Sequence, residues 1–324
     1  MKLAGALGIV YVVWGSTYLA IAVADRSLPP FLMLAVRFLV AGSLLWAWAA
    51  RRGELAGERP GRRQWLAAGA VGAALLVLDT GGVAWAELRV SSGIAALLVA
   101  SVPVFMALLD RAFFGVRLSL GAAAGIAAGL LGVGVLVGPT GHVDGLGALV
   151  LLGASFAWAA GSAYARVAPL PRSPLVSASM QMLAAGAILG VAGLARGERI
   201  HVLSTTSLVA LGYLVVFGSL VAFTVYGWLL RHAPTPLLST YAYVNPAVAV
   251  FLGWAFAGEH VGGREVAAGL VILSSVALLA LAREPREGPA PIPESLPGYI
   301  REQEARAADV PAVPRLADLH RVAC

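Results

Sequence analysis

Arg37 and Asp79 are the ionisable residues set deep inside apolar runs, and Glu87 stands at the edge of one. A charge at mid-bilayer costs at least ~2.5–3.5 kcal/mol on insertion scales, so it needs a partner or water. Arg37 is about six residues and Asp79 about five from the end of its run, which at ~1.5 Å per residue puts both roughly 8–9 Å below one boundary. Equal depth on consecutive helices predicts an Arg37–Asp79 ion pair. Such a pair binds a charged group of a substrate or gates the mouth of a cavity. Its structural alternative is a buried pair that only fixes helix register.

A second set offers aromatic and hydroxyl groups. Trp14, Ser16 and Thr17 lie near the middle of the first run, and Trp158, Ser162 and Tyr164 mark a counterpart further on. A buried indole N–H needs a partner. Ser and Thr can instead bond back to their own helix. Present in both places, these residues are expected to line a cavity suited to amphipathic solutes. Tyr241 joins them. Asn245 either hydrogen-bonds a substrate or repairs a kink at Pro246. Pro103 and Pro246 each remove a backbone hydrogen bond and are expected to kink their helices. Glu87 and Glu259 are proton-coupling carboxylates, or else solvated helix ends or helix caps. Trp85 and Trp228 read as interfacial anchors.

Other chemistry is excluded. The histidines (His142, His201, His232, His260 and His320) fall in loops or the tail, and the sole cysteine is the last residue, Cys324. No metal spacing and no internal disulfide arise from these. No glycine-rich loop precedes a lysine, so ATP has no site. No metal or cofactor is expected.

The elements that must position these groups are apolar. Only 12% of residues are charged and the mean hydropathy is +0.84, against about 25% charged in soluble domains. Ten apolar segments occur, roughly 5–24, 31–50, 65–84, 91–110, 119–138, 146–165, 174–195, 206–230, 236–257 and 265–282, each near the ~20 residues a helical span needs. The runs are continuous, not alternating, which favours helices over barrel strands. The chain also repeats: Trp85 precedes Pro103 as Trp228 precedes Pro246, by eighteen residues in each case. Trp14-Gly15-Ser16 is echoed by Trp158 and Gly161-Ser162, and Arg37–Gly42 by Gln181–Gly186. A fixed period means a duplicated unit. Arg37 answers to Gln181 and Asp79 to Ala222, so both charges vanish together in the second copy. The expected fold is an all-α membrane protein of ten transmembrane helices in two inverted five-helix repeats, 1–140 and 141–283. An odd number of spans per copy forces the opposite senses.

Arginines set the orientation. The loop at 51–63 and residues Arg111, Arg117, Arg166, Arg172 and Arg231 fall on one side with Lys2, which predicts both termini in the cytoplasm. The net charge of +6 sits in these short loops, so a nucleic-acid partner is not expected. Residues 284–324 are proline-rich and mixed in charge, and are read as a disordered cytoplasmic tail.

These residues carry a family likeness. Trp14-Gly15-Ser16-Thr17-Tyr18-Leu19-Ala20-Ile21, Trp85-Ala86-Glu87, Ser92 to Leu97 and Pro103 resemble the motifs of the EamA family of the drug/metabolite transporter superfamily. Trp158 to Ser162, Tyr241 to Pro246 and Gly258-Glu259 do so in the second copy. The likeness covers about 1–283. It implies an inner-membrane carrier with a cavity between two five-helix halves, and many such carriers export amino acids, drugs or other metabolites. Val116, where the second copy has Glu259, and Asp79 depart from the pattern.

The expected function is alternating-access export of a small metabolite such as an amino acid or amphipathic compound. Its partners are that solute, the lipid bilayer and, for coupling, protons at Asp79 or Glu87. A lipid-linked substrate flippase is the alternative, and an intramembrane enzyme is a further one.

Overall fold

The computed structural model describes residues 3–55, 60–114, 119–137, 143–232 and 241–282. The tail expected to be disordered lies outside the described residues. Among those described the chain is helical throughout, with no strand. The helices are α1 (Leu3–Ala24), α2 (Pro30–Arg51), α3 (Arg62–Gly72), α4 (Gly81–Glu87), α5 (Ser92–Val99), α6 (Val102–Phe114), α7 (Leu120–Val137) and α8 (Gly145–Ala165). They continue with α9 (Pro174–Ala195), α10 (Thr205–Tyr213), α11 (Ala222–His232), α12 (Tyr241–Ala257) and α13 (Gly263–Ala282). Among the described residues, seven helical stretches are long and apolar enough to cross a bilayer: Leu3–Ala24, Pro30–Arg51, Arg62–Glu87, Ser92–Phe113, Gly145–Ala165, Pro174–Ala195 and Thr205–Tyr226. Leu120–Leu136 and Val244–Ala257 are shorter apolar helices.

Local sequence starts these helices. Pro30 and Pro174 occupy first turns, where the missing N–H is no loss. Ser91, Asp144 and Ser173 cap α5, α8 and α9 by accepting from Ile94, Gly147 and Val176 N–H.

Two of the rods are not regular. A π-helical segment, Ala73–Thr80, joins α3 to α4, and another, Leu214–Val221, joins α10 to α11. The apolar pattern predicts unbroken α-helix at both places, because one widened turn leaves no mark on hydropathy. The run at 91–110 also departs from expectation. It is interrupted at Ala100–Ser101, and Pro103 falls in the first turn of α6. There its lack of a donor costs nothing, so the interruption precedes the proline and is not a kink centred on it. Pro246 does lie inside its helix, α12.

Small residues set the packing. A Cβ on Gly42 would stand 3.1 Å from Met182 Cβ, and one on Gly186 would stand 2.8 Å from Leu39 Cγ. Gly42 and Gly186 are equivalent in the sequence repeat, so α2 and α9 cross through a matched pair of close approaches. Such contacts let helices associate in lipid, where burying apolar surface gives no drive.

Polar ties mark the two ends of the bundle. At one end Ser173 Oγ donates to Glu54, and Arg166 pairs with Asp110 at 2.9 Å. At the other, Glu198 accepts from Leu32 N–H at 2.9 Å. Glu259 accepts there from Ser92 N–H at 2.9 Å, Ser92 Oγ at 2.7 Å and Gly93 N–H at 3.1 Å.

Candidate functional site

The site is built round the middle of α1. The Trp14 ring lies 5.0 Å from Tyr226, 5.5 Å from Tyr241 and 5.8 Å from Phe223, centroid to centroid. Tyr226 and Tyr241 share a hydrogen bond through their side chains. One face of α1 thus meets α11 and α12 through a box of rings. Gly15 permits the approach to α12: a Cβ there would stand 2.6 Å from Val248 Cβ. Asn245 ties the same pair of helices. With its amide nitrogen turned toward them, it donates to the carbonyls of Tyr11 and Tyr241, each at 3.2 Å. This cross-helix tie, with one of its two bonds reaching α1, is more than a repair of the Pro246 kink.

The hydroxyls beside Trp14 are engaged. Thr17 Oγ1 donates to Trp14 C=O at 2.6 Å. Ser16 Oγ donates to Val13 C=O at 2.9 Å and meets the Tyr213 hydroxyl at 2.6 Å. Tyr213 stacks on Phe217 at 5.1 Å.

Arg37 reaches the same neighbourhood from α2. It is 4% exposed, and its Nε donates to Ser219 Oγ at 3.0 Å, on the second π-helical segment. A Cβ on Gly218 would lie 3.1 Å from both Arg37 Nη2 and Thr17 Cγ2. Arg37 Nη1 is buried with no hydrogen-bond partner. Among the described residues no carboxylate stands within ion-pair distance of it. The expected Arg37–Asp79 pair is not formed. Asp79 sits in the first π-helical segment, is 6% exposed, and has a buried Oδ1 without a partner. Tyr18 and Tyr241 lie within electrostatic reach of it. Equal depth brings two side chains together only where rise and phase are regular along both helices, and a π turn changes both. Arg37 therefore keeps its charge without an acidic partner, at a cost of several kcal/mol for an unpaired ion, while Asp79 bonds its neighbour Thr80.

The counterparts in the second copy are placed differently. Gln181 is half-buried in α9 and donates through Nε2 to Ser177 Oγ at 3.0 Å, within its own helix. Trp158 and Ser162 are half-buried on α8, and Tyr164 is exposed. The two Trp-Ser groups are therefore brought into unlike settings: Trp14 enters the aromatic box and Tyr164 faces outward.

The end of the bundle that carries Glu198 and Glu259 holds two further acids. Both oxygens of Glu87, at the end of α4, are buried without a partner, so it is neither solvated nor a cap. Glu259 is a cap, but of α5. Both oxygens of Asp25, just past α1, are likewise buried and unpartnered. Burial, followed by the neighbouring Glu198, pushes the Asp25 carboxyl up to about 8. Asp25 and Glu87 lie within electrostatic reach of each other.

Sequence reasoning missed Tyr18, Asp25, Tyr213, Ser219, Phe223 and Tyr226. Tyr18 follows Trp14 by one helical turn, and Phe223 precedes Tyr226 by nearly one. That spacing was a usable signal for shared faces. Ser219 and Asp25 gave none.

Comparison with known proteins fits this architecture. The model of the EamA-like transporter family matches twice, over residues 3–138 and 145–281. The chain is 39% identical over 287 residues to the "Uncharacterized inner membrane transporter YedA" of Escherichia coli K12, covering 87% of this chain and 92% of that one. It is 24% identical over 278 residues to a WAT1-related chloroplastic protein of Arabidopsis thaliana, covering 82% of this chain and 66% of that one. A solved crystal structure that is 20% identical superposes with a TM-score of 0.61 over 86% of this chain and 96% of its own, a likeness of fold. With a family match along nearly all of its helical part, the chain belongs to the EamA-like transporter family, within the drug/metabolite transporter superfamily, and is a membrane transporter.

Proposed function

We propose that the chain exports a small amphipathic metabolite, such as an amino acid, across an inner membrane by alternating access. In this reading two inverted five-helix halves, 1–140 and 141–283, rock about a site near mid-membrane, with both termini in the cytoplasm. The observation that carries it is the aromatic box, in which Trp14 of the first half meets Phe223, Tyr226 and Tyr241 of the second. A ring-lined site with a few fixed polar groups suits a solute that is part apolar and part charged. The double family match and the inner-membrane relative support the rest.

Protons are the proposed coupling ion. Asp25 joins Glu87 and Asp79 as a carboxylate able to carry one, since its carboxyl titrates near 8. Uphill export that ignores both pH gradient and membrane potential would remove ion coupling from this reading.

The test compares cells overproducing the chain with a null strain for metabolites retained and released. Proteoliposomes then follow flux of any solute that differs. The reading expects an amphipathic metabolite to be released faster by the overproducer. Identical profiles together with no flux in liposomes would overturn it.

A further inference from the structure

Arg37 has an unusual setting for a cation. It is 4% exposed, anchored at one nitrogen only, and its Nη1 is buried without a partner. Among the described residues no carboxylate lies within ion-pair distance to neutralise it. A guanidinium keeps its charge even when buried, so a chain that only needed helix register could use a neutral residue at this position. The second copy does so, with Gln181. The surroundings are also prepared. Gly218, on the widened turn of the second π-helical segment, leaves room where a Cβ would press on Nη2. Ser219 Oγ, fully buried, holds Nε and keeps its own proton free to donate. A planar fork with one nitrogen anchored and another left without a hydrogen-bond partner matches a carboxylate, which accepts two parallel hydrogen bonds.

We propose that Arg37, with Ser219, is the seat for a substrate carboxylate, and that the transported solute is therefore a carboxylic acid whose apolar part lies toward the Trp14 box. This rests on the carrier reading above and names the substrate class of its site. The position argues against a lipid phosphate: Arg37 is seven residues into α2, about 10 Å from the helix start at ~1.5 Å per residue, and walled in by protein.

The test uses purified full-length protein in detergent, with sodium benzoate as the probe and benzamide as its neutral isostere. Thermal unfolding is followed for wild type, Arg37→Gln and Arg37→Lys. Without probe, Arg37→Gln is expected to unfold at a higher temperature than wild type, because an unpaired buried charge has been removed. Benzoate is expected to raise the wild-type midpoint, with apparent affinity weakened about 30-fold or more in Arg37→Gln, and benzamide to shift neither. Arg37→Lys keeps the charge but not the fork, and is expected to bind benzoate between the two. A lower midpoint in Arg37→Gln with equal benzoate protection in all three proteins would overturn the seat. So would protection of wild type by benzamide as strong as that by benzoate. Protection by sodium sulfate equal to benzoate would overturn the carboxylate class. Flux is a separate readout: benzoate protection lost in Arg37→Gln, with no solute flux from wild-type proteoliposomes, keeps the seat and removes the carrier reading.

Discussion

At the scale of single residues, the site depends on groups whose neighbours come from distant sequence. Trp14, Arg37, Asp79 and Tyr241 stand out in the sequence because polar and aromatic side chains are rare at mid-span. Their partners do not. Arg37 finds Ser219 and not Asp79 because α2 lies against the second π-helical segment, and equal depth carries no information about azimuth. Tyr241→Phe removes the hydroxyl shared with Tyr226 and keeps the ring. It is expected to cost about 0.5–1.5 kcal/mol of stability and to weaken solute binding with little change in turnover, read as a rise in KM in a flux assay. Asp25 gives a pH prediction. Its folded-state carboxyl titrates near 8, above the ~3.9 of an unfolded chain. The folded state thus holds a proton that the unfolded state gives up. The resulting stability is full below about pH 4 and is lost as pH rises through 8. Wild type is expected to lose thermal stability between pH 5 and pH 9, and Asp25→Asn to lose less over the same interval. Equal slopes would contradict the buried, protonated acid.

At the scale of elements, hydropathy located nearly all the helices, because a bilayer span must be apolar along its whole length. The start of α9 at Pro174 and the end of α1 at Ala24 match the expected limits. Irregularities were not legible. A π turn, or the interruption at Ala100–Ser101, changes backbone hydrogen bonding without changing composition. Caps in trans were also hidden. Glu259 looks like the end of its own helix, yet it binds the first two backbone N–H groups of α5 and the Ser92 hydroxyl. Hydrogen bonds to a charged group contribute about 1.5–3 kcal/mol each at most. Glu259→Gln is therefore expected to lower thermal stability by about 2 kcal/mol or more, with transport recovered at low temperature. An unchanged melting curve would mean that the cap is idle. Gly15 tests the α1–α12 contact, since Ala there meets Val248 Cβ at 2.6 Å. Overpacking of this kind costs about 1–3 kcal/mol. Gly15→Ala is expected to reduce flux more than Gly8→Ala, whose Cβ would meet nothing within 4 Å.

At the scale of the molecule, the proposed carrier needs two halves of opposite sense enclosing one site. The repeat spacing and the double family match indicate duplication, and the arginine pattern predicts which loops share a face. The bond from Ser173 to Glu54 brings two of those loops together, the one after α2 and the one before α9. The sole cysteine is the last residue, so Cys324→Ser gives a background free of thiols. In that background single cysteines would replace Arg26, Arg52, Arg172 and Arg199, and intact cells would be treated with a membrane-impermeant maleimide. The account predicts labelling at positions 26 and 199 in intact cells, and at positions 52 and 172 only after the membrane is opened. Labelling of positions 52 and 172 from opposite faces would contradict it.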